Sequence, residues 1–406
     1  MEENFLKNVK WLSDLKFRVS YGETGNANIG SFSWQNFLRG SNYNFGINRQ
    51  FGTFRRVFNP DLTWEKNKQF DVGIDIALFK DRVALTADFY DKNTFDMILN
   101  KQLPSVVGIT PTFNTNTGNL QNRGFELTLT TRNIKTKHFN WTSEINFSRN
   151  ENLVTDLGGA QNLGFYNAVT GWNNAFLIQV GSPIGDMYGY QIDGIIRNAE
   201  EAATVPKYGV GTVLPAAGDM KIRDVNGDNI IDKKDITKIG NSQADFLVGM
   251  THKVTYRNFD LSFVLQGQQG GNIINGLFRN PWVTPGANLP RDMYRNIYID
   301  KDPLGDNANV KYPAVTSRAP ILFTNSLTSL AIYDASFLRL RNITFGYKLP
   351  NSLTQKLNIQ NTRIYVSGQN LFTLSTYPGY NPEVSLNGNS VTQPGVDQGV
   401  YPQVKP

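Results

Sequence analysis

Apolar and polar residues alternate along several segments of this chain, and this alternation restricts the fold more than any other feature of the sequence. Successive side chains of a β-strand point to opposite faces, so a period of two predicts a strand with one apolar and one polar face. The alternating segments are residues 70–78, 82–90, 125–130, 139–147, 246–254 and 259–265. The chain is therefore predicted to be all-β, although a soluble sandwich of two sheets would alternate in the same way.

The connections between these segments are alternately short and long. Tight turns are expected at Lys80–Asp81, residues 134–137 and Arg257–Asn258, and long excursions at residues 23–64, 99–120, 151–244 and 271–335. Because consecutive antiparallel strands run in opposite directions, short turns collect at one end of the sheet and long loops at the other. This asymmetry, with alternating segments of about 10 residues, is typical of barrels that span an outer membrane.

Charged residues keep to one parity of these strands, as a membrane barrel requires. A Lys or Arg facing lipid at mid-bilayer costs about 2–4 kcal/mol. The residues that obey this rule are Asp71, Asp75, Arg82, Asp88, Glu126 and Glu144. Aromatic residues at strand ends are expected to form interfacial girdles, with Phe79, Tyr256 and Phe259 at the short-turn end and Tyr90 towards the long loops. These features favour an antiparallel transmembrane β-barrel with long extracellular loops over a secreted β-protein.

One strand breaks the alternation. In residues 337–348, Leu338 and Leu340 occupy one phase, whereas Ile343 and Phe345 occupy the other. An extra residue in one strand of a pair shifts the phase of all that follow. We therefore expect a bulge or a change of environment near Arg341–Asn342.

Composition excludes several classes of function. The 406 residues include no Cys, so disulfides, thiolate metal sites and cysteine nucleophiles are excluded. The net charge is +6, and no five consecutive residues carry the same charge. The sequence therefore predicts neither nucleic-acid binding nor a polybasic lipid-binding segment. No apolar run approaches 18 residues and no signal peptide follows Met1. His138 and His252 are the only histidines, and no nucleophile elbow, phosphate loop or zinc spacing is found, so neither an enzyme nor an organic cofactor is expected.

The stretch "DVNGDNIIDKKD", residues 224–235, has the oxygen spacing of a twelve-residue calcium loop. The predicted ligands are the side chains of Asp224, Asn226, Asp228, Asp232 and Asp235 and the carbonyl of Ile230. Asn229 replaces the usual Gly at the sixth position, but Asn tolerates the left-handed conformation that is needed there. The flanking residues are strand-like rather than helical. We expect a structural calcium ion that stabilises an extracellular excursion over residues 151–245; the alternative is a metal-free turn held by Asx hydrogen bonds.

Aromatic residues of the long loops are candidates for substrate binding. Sugars bind to aromatic faces flanked by amides and carboxylates, and the loops contain such sets. The candidates are Trp34, Trp172, Trp282, Tyr294 and Tyr298, the last two beside Arg291 and Asp292. The alternative is that these rings pack one loop against another or against a partner protein.

Seven blocks of the sequence together resemble one family. They are "KFRVSYGETGN", "NPDLTWEKNKQFDVGID", "NTGNLQNRGFEL", "GSPIGDMYGYQIDGI", "GDMKIRDVNGDNIID", "SFLRLRNITFGYKLP" and "VSGQNLFTLSTYPGYNPEV". In this order they resemble the C-terminal barrel region of SusC/RagA-type TonB-dependent outer-membrane transporters. The resemblance covers nearly the whole chain.

The resemblance implies more than the residues do. Such transporters form 22-stranded barrels closed by an N-terminal plug, and they pair with a SusD-like surface lipoprotein that acts as a lid. They lie in the outer membrane of Gram-negative bacteria of the Bacteroidota type and use TonB to import glycans or, in the RagA branch, peptides. We therefore expect glycan import, with peptide import as the alternative. A secreted, calcium-stabilised carbohydrate-binding or adhesion module remains a further alternative.

The resemblance also implies that residues 1–406 are part of a longer barrel. The sequence contains about eleven to thirteen candidate strands, which are too few to close 22. No plug and no TonB-contacting segment is recognised, and "YPQVKP" stands where the family continues with one more strand. Contact with TonB is expected through an N-terminal region that is missing here.

Overall fold

The computed structural model describes residues 9–27, 38–39, 43–45, 48–50, 53–54, 59–102, 112–168, 171–209, 214–279, 288–300, 307, 310–315, 325–354, 359, 362–383 and 393–399. The strands are β1 (Leu12–Asn26), β2 (Leu38–Arg39), β3 (Tyr43–Phe45), β4 (Asn48–Gln50), β5 (Thr53–Phe54), β6 (Glu65–Leu78), β7 (Val83–Gln102), β8 (Thr112–Lys135), β9 (Phe139–Leu157), β10 (Asn162–Tyr166), β11 (Phe176–Gln179), β12 (Asp186–Gly189), β13 (Ile192–Ile195), β14 (Lys207–Tyr208), β15 (Met220–Ile222), β16 (Ile230–Ile231), β17 (Thr237–Asn241), β18 (Phe246–Tyr256), β19 (Phe259–Gln269), β20 (Asn272–Asn275), β21 (Ile332–Asp334), β22 (Phe337–Lys348), β23 (Arg363–Ser375) and β24 (Val396–Asp397).

Helices are short. Within these ranges they are Ala199–Ala202, Arg291–Asn296 and Asn351–Thr354, with 3₁₀ turns at Lys233–Asp235, Gly276–Arg279 and Ser329–Ala331. No helix in the described ranges has the length and apolar character needed to cross a membrane.

The first of two compact units comprises Met1–Leu163, Ile178–Ile184 and Met250–Asp260. Strands β1, β6, β7, β8 and β9 pair in that order, each antiparallel to its neighbour. The register pairs apolar residues with apolar residues: Ile74 lies beside Ala87, and Ala87 beside Leu127. The alternation along each strand therefore becomes a set of apolar rows across the sheet.

The polar face of this sheet carries an ion network. The Nε atom of Arg18 lies 2.9 Å from Oδ2 of Asp75, and its Nη2 atom lies 2.8 Å from Oδ1 of Asp88. Thr86 donates a hydrogen bond to Asp75 over 2.9 Å. Gly73 lies between Arg18 and Asp88, and a Cβ there would stand only 2.3 Å from Asp88. The glycine thus leaves the space through which the guanidinium group reaches the second carboxylate.

The opposite face is apolar and open. Phe17 and Val19 each expose 70% of their surface, and Val72, Phe89 and Phe125 are also exposed. A water-soluble protein rarely leaves so large an apolar area uncovered. The two faces of the sheet are therefore adapted to different surroundings.

The predicted short turns are confirmed. β6 ends at Leu78 and β7 begins at Val83, β8 and β9 are joined by residues 136–138, and β18 and β19 by residues 257–258. Phe79, Lys80 and Asp81 all have positive φ, between 54° and 59°. Three consecutive non-glycine residues in this region make the turn tight and strained.

The long excursion predicted at residues 99–120 is wrong for most of its length. β7 continues to Gln102 and pairs with β8 from Thr112 onwards. The alternation of apolar and polar residues does not continue through this hairpin, but the ladder satisfies the backbone whichever side chains it carries. Register shifts near Met97 and a positive φ of 56° at Asp96 bend the hairpin. Residues 103–111 lie outside the described ranges.

The second unit comprises Gly164–Leu177, Gly185–Gly249 and Leu261–Pro406. Most of its buried residues come from the connections between the long strands. One core cluster includes Trp172, Phe176, Met187, Ile274 and Leu327, each at most 3% exposed. The long loops thus fold into a structure with a core of their own.

The register shift predicted near Arg341–Asn342 is confirmed, but the extra residue lies on β23 rather than on β22. Leu340 pairs with Phe372 and Asn342 with Gln369, so β22 advances by two residues while β23 advances by three. Asn370, inside the three-residue step of β23, has φ = 51°, which places the bulge at this point of β23.

Candidate functional site

A cavity of about 330 Å³ lies within the second unit. Its walls come from the end of β20 and the following 3₁₀ turn, the helix Arg291–Asn296, Tyr312, β21 and residues 378–380. The lining residues are Asn275, Leu277, Phe278, Pro290, Asp292, Met293, Tyr312, Tyr333, Pro378, Gly379 and Tyr380. Four of these residues are aromatic, and the volume is within the range of small-ligand sites.

The aromatic walls rest on the core of the unit. The ring centroids of Phe278 and Tyr312 lie 5.8 Å apart, and both residues are buried. Tyr333 packs edge-on against Tyr377, again at 5.8 Å. Tyr380, by contrast, exposes 63% of its surface. The cavity therefore combines fixed aromatic walls with one aromatic residue that solvent and ligands can reach.

Asp292 supplies a carboxylate to this aromatic site. Its Oδ2 atom accepts a hydrogen bond from the Tyr312 hydroxyl over 2.7 Å, and its Oδ1 atom accepts one from Nδ2 of Asn296 over 2.8 Å. Asp292 and Asn296 are four residues apart on one helix and therefore lie on the same face. Each carboxylate oxygen can accept a further hydrogen bond, so a ligand hydroxyl or amide can be bound there.

The tyrosines at this site are neutral hydrogen-bonding groups. Burial, together with the hydrogen bond to Asp292, raises the pKa of Tyr312 far above its usual range. Burial also raises the pKa of Tyr333. Tyr377 packs against Tyr333, and burial together with the 2.5 Å hydrogen bond to Asp397 raises the pKa of Tyr377. Tyr312 and Tyr333 therefore stay protonated near neutral pH and can act as hydrogen-bond donors.

The five aromatic residues predicted from the sequence have different surroundings. Trp172 is 3% exposed and belongs to the core, and Tyr298 is 9% exposed, beside Gly218 and Ala314. Tyr294 is 70% exposed on the helix that carries Asp292. Trp34 and Trp282 lie outside the described residues. Binding by any of the five remains a prediction.

Sequence reasoning missed the aromatic residues of the cavity. Phe278, Tyr312, Tyr333 and Tyr380 come from four separate segments, and only tertiary packing brings them together. One local signal was available. Asp292 and Asn296 form an i, i+4 pair on a short helix, which marks a polar face.

The calcium-type loop lies between β15 and β17, which confirms that its flanks are strands rather than helices. Asn229 has φ = 65°, the left-handed conformation expected at the sixth position. β16 begins within the loop and pairs in parallel with β14. The loop is thus tied to a second segment of the same excursion.

The side chains proposed as calcium ligands accept backbone hydrogen bonds. Asp224 accepts from Gly227 and Asn229, both over 2.7 Å, and the fully buried Asp235 accepts from Val225 and Asp232, both over 2.8 Å. Three more side chains accept from a backbone N–H group: Asn226 from Asp228, Asp228 from Ile230 and Asp232 from Lys234. Among the described residues, no three His, Cys, Asp or Glu side chains converge on a point that could hold a metal ion. This arrangement is that of an Asx-turn network, and calcium binding remains a prediction.

The chain was compared with known families and structures. The family model described as "TonB dependent receptor-like, beta-barrel" matches residues 8–371. The chain is 34% identical over 415 residues to TonB-dependent receptor P3 of Formosa agariphila, an alignment that covers 100% of this chain and 40% of that protein. It is 30% identical over 417 residues to TonB-dependent receptor SusC of Bacteroides thetaiotaomicron, covering 99% of this chain and 38% of that protein.

A solved structure has the same fold. The structure of the RagAB peptide importer in the "closed-closed" state matches with a TM-score of 0.74 and 25% identity, covering 98% of this chain and 40% of the other. The chain thus spans about 40% of the length of the proteins that it resembles. The all-β barrel fold predicted from the sequence is confirmed.

Proposed function

Because the chain belongs to the TonB-dependent receptor β-barrel family, we propose that it forms part of an outer-membrane transporter that imports glycans together with a SusD-like surface lipoprotein. Two of its relatives are receptors by name, one of them SusC. A receptor is also consistent with the prediction that the chain is not an enzyme. Energy from TonB would reach the barrel through another part of the transporter.

The two faces of the first unit support a position in the barrel wall. The exposed apolar row that includes Val19, Val72 and Phe89 faces lipid in this proposal. The ion network of Arg18, Asp75 and Asp88 faces the lumen. Charges on the lipid side would be costly, and the described strands keep this network on the other face. The short turns then lie on the periplasmic side and the long loops on the extracellular side.

The aromatic cavity is the observation that carries the substrate assignment. A sugar ring presents C–H groups to an aromatic face and hydroxyl groups at its edge. Tyr312, Tyr333 and Phe278 supply the faces, and Asp292 supplies an acceptor for the hydroxyl groups. The cavity volume of about 330 Å³ suits one or two sugar units rather than a long chain. We propose that it holds one end or one branch of a glycan while the lipoprotein holds the rest.

Substitutions at the cavity test this proposal in the full-length transporter with its lipoprotein. Tyr380→Ala and Asp292→Asn should each weaken glycan binding about ten-fold, because each removes one strong contact of roughly 1.5 kcal/mol. Binding to the purified pair can be measured by calorimetry with the glycan that supports growth of the source bacterium.

The control is Leu214→Ala, an exposed residue of the same unit that does not line the cavity. Tyr294→Ala is a second control for the surface of the neighbouring helix, because Tyr294 is exposed there and does not line the cavity. Wild-type affinity in both cavity variants would contradict the assignment of the cavity to substrate.

Peptide import is the second candidate, favoured by the structural similarity to the RagAB peptide importer. Aromatic walls with one carboxylate also suit an apolar or cationic peptide side chain. The same calorimetric titrations with a mixture of short peptides separate the two. Peptide binding that Asp292→Asn abolishes, with no glycan binding by the wild type, would assign the transporter to peptides.

A further inference from the structure

Basic residues gather along one edge of the first unit, the edge that carries its short turns. They are Lys10, Lys80, Arg82, Arg132, Lys135, Lys137, Lys253 and Arg257, and all are exposed. In the sequence they are spread over almost 250 residues, so no basic run was found there. The fold assembles the cluster, which we call the basic edge.

Backbone hydrogen bonds make the basic edge continuous. Phe79 donates to the carbonyl of Trp11 over 2.7 Å, which ties the chain before β1 to the β6–β7 turn. Arg132 donates to the carbonyl of Arg82 over 2.7 Å, and Arg257 to the carbonyl of His138 over 2.8 Å. These bonds connect successive turns, so their cations form one surface rather than separate patches.

The positive charge of the basic edge is largely uncompensated. The acidic residues at these strand ends, among those described, are Asp14, Asp81 and Asp260, against eight cations. No ion pair among the described residues includes a cation of the basic edge. At the opposite ends of the same strands, cations do have acidic partners: Lys66 with Asp96, Lys68 with Glu23, Arg123 with Asp91 and Arg149 with Glu151. Unpaired cations on one edge mutually repel, so an anionic partner would lower their electrostatic free energy.

An aromatic belt lies beside the basic edge. Trp11, Phe79, Tyr256 and Phe259 expose between 44% and 56% of their surfaces at the same strand ends. The guanidinium carbon of Arg257 lies 5.5 Å from the ring centroid of Tyr256. Trp and Tyr side chains prefer the boundary between hydrocarbon and headgroups, and long basic side chains extend from there to the polar layer. A soluble acidic partner would leave these rings in water.

We propose that the basic edge binds the phosphate headgroups of anionic phospholipids in the leaflet that surrounds the short turns. The aromatic belt sets the depth of the sheet, and the cations then reach the plane of the phosphates. Binding depends on the strands crossing a membrane but not on the substrate that is imported. Anionic lipids would hold the barrel at a defined height and resist its tilting.

Native mass spectrometry of the full-length transporter, delipidated and mixed with equal amounts of phosphatidylglycerol and phosphatidylethanolamine, tests this proposal. The wild type should retain more phosphatidylglycerol. In Lys135→Gln/Lys137→Gln/Arg257→Gln, affinity should fall about five-fold for each cation removed, or roughly 100-fold at low ionic strength. Added salt should weaken retention in the wild type, because the Debye length falls below about 10 Å above 0.1 M.

The matched control is Lys207→Gln/Lys233→Gln/Lys311→Gln, which removes three exposed cations from the second unit and should leave lipid retention unchanged. If the basic-edge variant does not fold, the salt titration of the wild type still tests the proposal. Equal retention of both lipids by the wild type, or no effect of salt, would overturn the proposal. So would tight binding of soluble polyaspartate without a lipid preference, which would assign the basic edge to an acidic polymer.

Discussion

Among the described glycines of the first unit, Gly124 is the one where an added Cβ would come nearest to a neighbouring atom. A Cβ at this position would stand 2.1 Å from the ring of Tyr90, its partner across β7 and β8. The Tyr90 side chain crosses Gly124, and its hydroxyl donates a 2.9 Å hydrogen bond to Oδ1 of Asn150 on β9. Tyr90 therefore lies on the polar face with Asp88, and its expected place in a lipid-facing girdle is wrong. One tyrosine joins three strands because the middle one has no side chain.

We expect Gly124→Ala to destabilise the full-length protein by about 1–3 kcal/mol, the usual cost of overpacking. The added methyl group would push the Tyr90 ring away and break its hydrogen bond to Asn150. Tyr90→Phe should cost only about 1 kcal/mol, because it removes that hydrogen bond alone. Urea unfolding measures both changes. In a double-mutant cycle, Tyr90→Ala should relieve most of the cost of Gly124→Ala; simple additivity of the two would contradict this account.

Each long strand of the first unit has one apolar face and one polar face. On β8, Leu127 pairs with Ala87 and Phe147 in an apolar row, whereas its neighbour Thr128 pairs with Thr86 and Asn146 in a polar row. Two adjacent residues of one strand thus probe opposite surroundings. No such contrast would exist if both faces met water.

Leu127→Arg should lower the stability of the full-length barrel by about 2–4 kcal/mol and reduce its assembly in the membrane, because the new charge faces lipid. Thr128→Arg is the matched control, because the same side chain on the other face meets Glu126 and Glu144 of the polar rows. Heat-modifiable migration on gels reports assembly. Equal tolerance of both substitutions would show that the strands do not separate lipid from a lumen.

The loop over residues 224–235 is the element that is predicted to bind calcium. Calcium should increase protease protection of residues 196–245, because a ligand that binds the folded loop stabilises it. Asp228→Asn should abolish this response, since it removes a charged ligand but keeps an oxygen for the N–H group of Ile230. Asp224→Ala should lower protection with or without calcium, because the N–H groups of Gly227 and Asn229 lose their acceptor. Identical digestion of the wild type in calcium and in chelator would mean that the loop is only a turn.

At the scale of the whole molecule, the two units differ in where their apolar residues lie. The first is a sheet with exposed apolar residues, and the second has a buried core that includes Phe176, Met187 and Ile274. Exposed apolar residues of the second unit include Leu214 and Tyr294, at 72% and 70%. Such residues are common where proteins bind partners. Trp172, predicted as a contact residue, is buried, so partner contact is better tested at an exposed position.

A photo-cross-linker in place of Tyr294 should capture the surface lipoprotein in cells that express the full-length transporter. The long loops are extracellular in the proposed orientation, and Tyr294 is exposed on them. The same cross-linker in place of Lys80, on a short turn, is the control and should not capture it. Capture from Lys80 alone would reverse the proposed orientation. Mass spectrometry of the cross-linked band identifies the partner.

The sequence by itself determined the alternating strands, the two faces of the sheet, the short turns and the place of the register shift near Arg341. All of these depend on local rules, because the phase of the side chains along a strand has a period of two and a bulge changes it by one. The extension of β7 and β8 to Gln102 and Thr112 was not predicted, because the alternation of apolar and polar residues does not continue through it. Seven ordered sequence blocks also identified the family correctly.

Only the tertiary structure decided which distant residues meet. Phe278, Asp292, Tyr312 and Tyr380 line one cavity although long stretches of chain separate them. The cations of the basic edge are likewise scattered in the sequence and adjacent in the fold. Burial was equally unpredictable: Trp172 and Tyr294 are both loop aromatics, but one is 3% and the other 70% exposed. The physical reason is that cavities and surfaces depend on how segments pack against each other, and side-chain periodicity carries no information about contacts between segments.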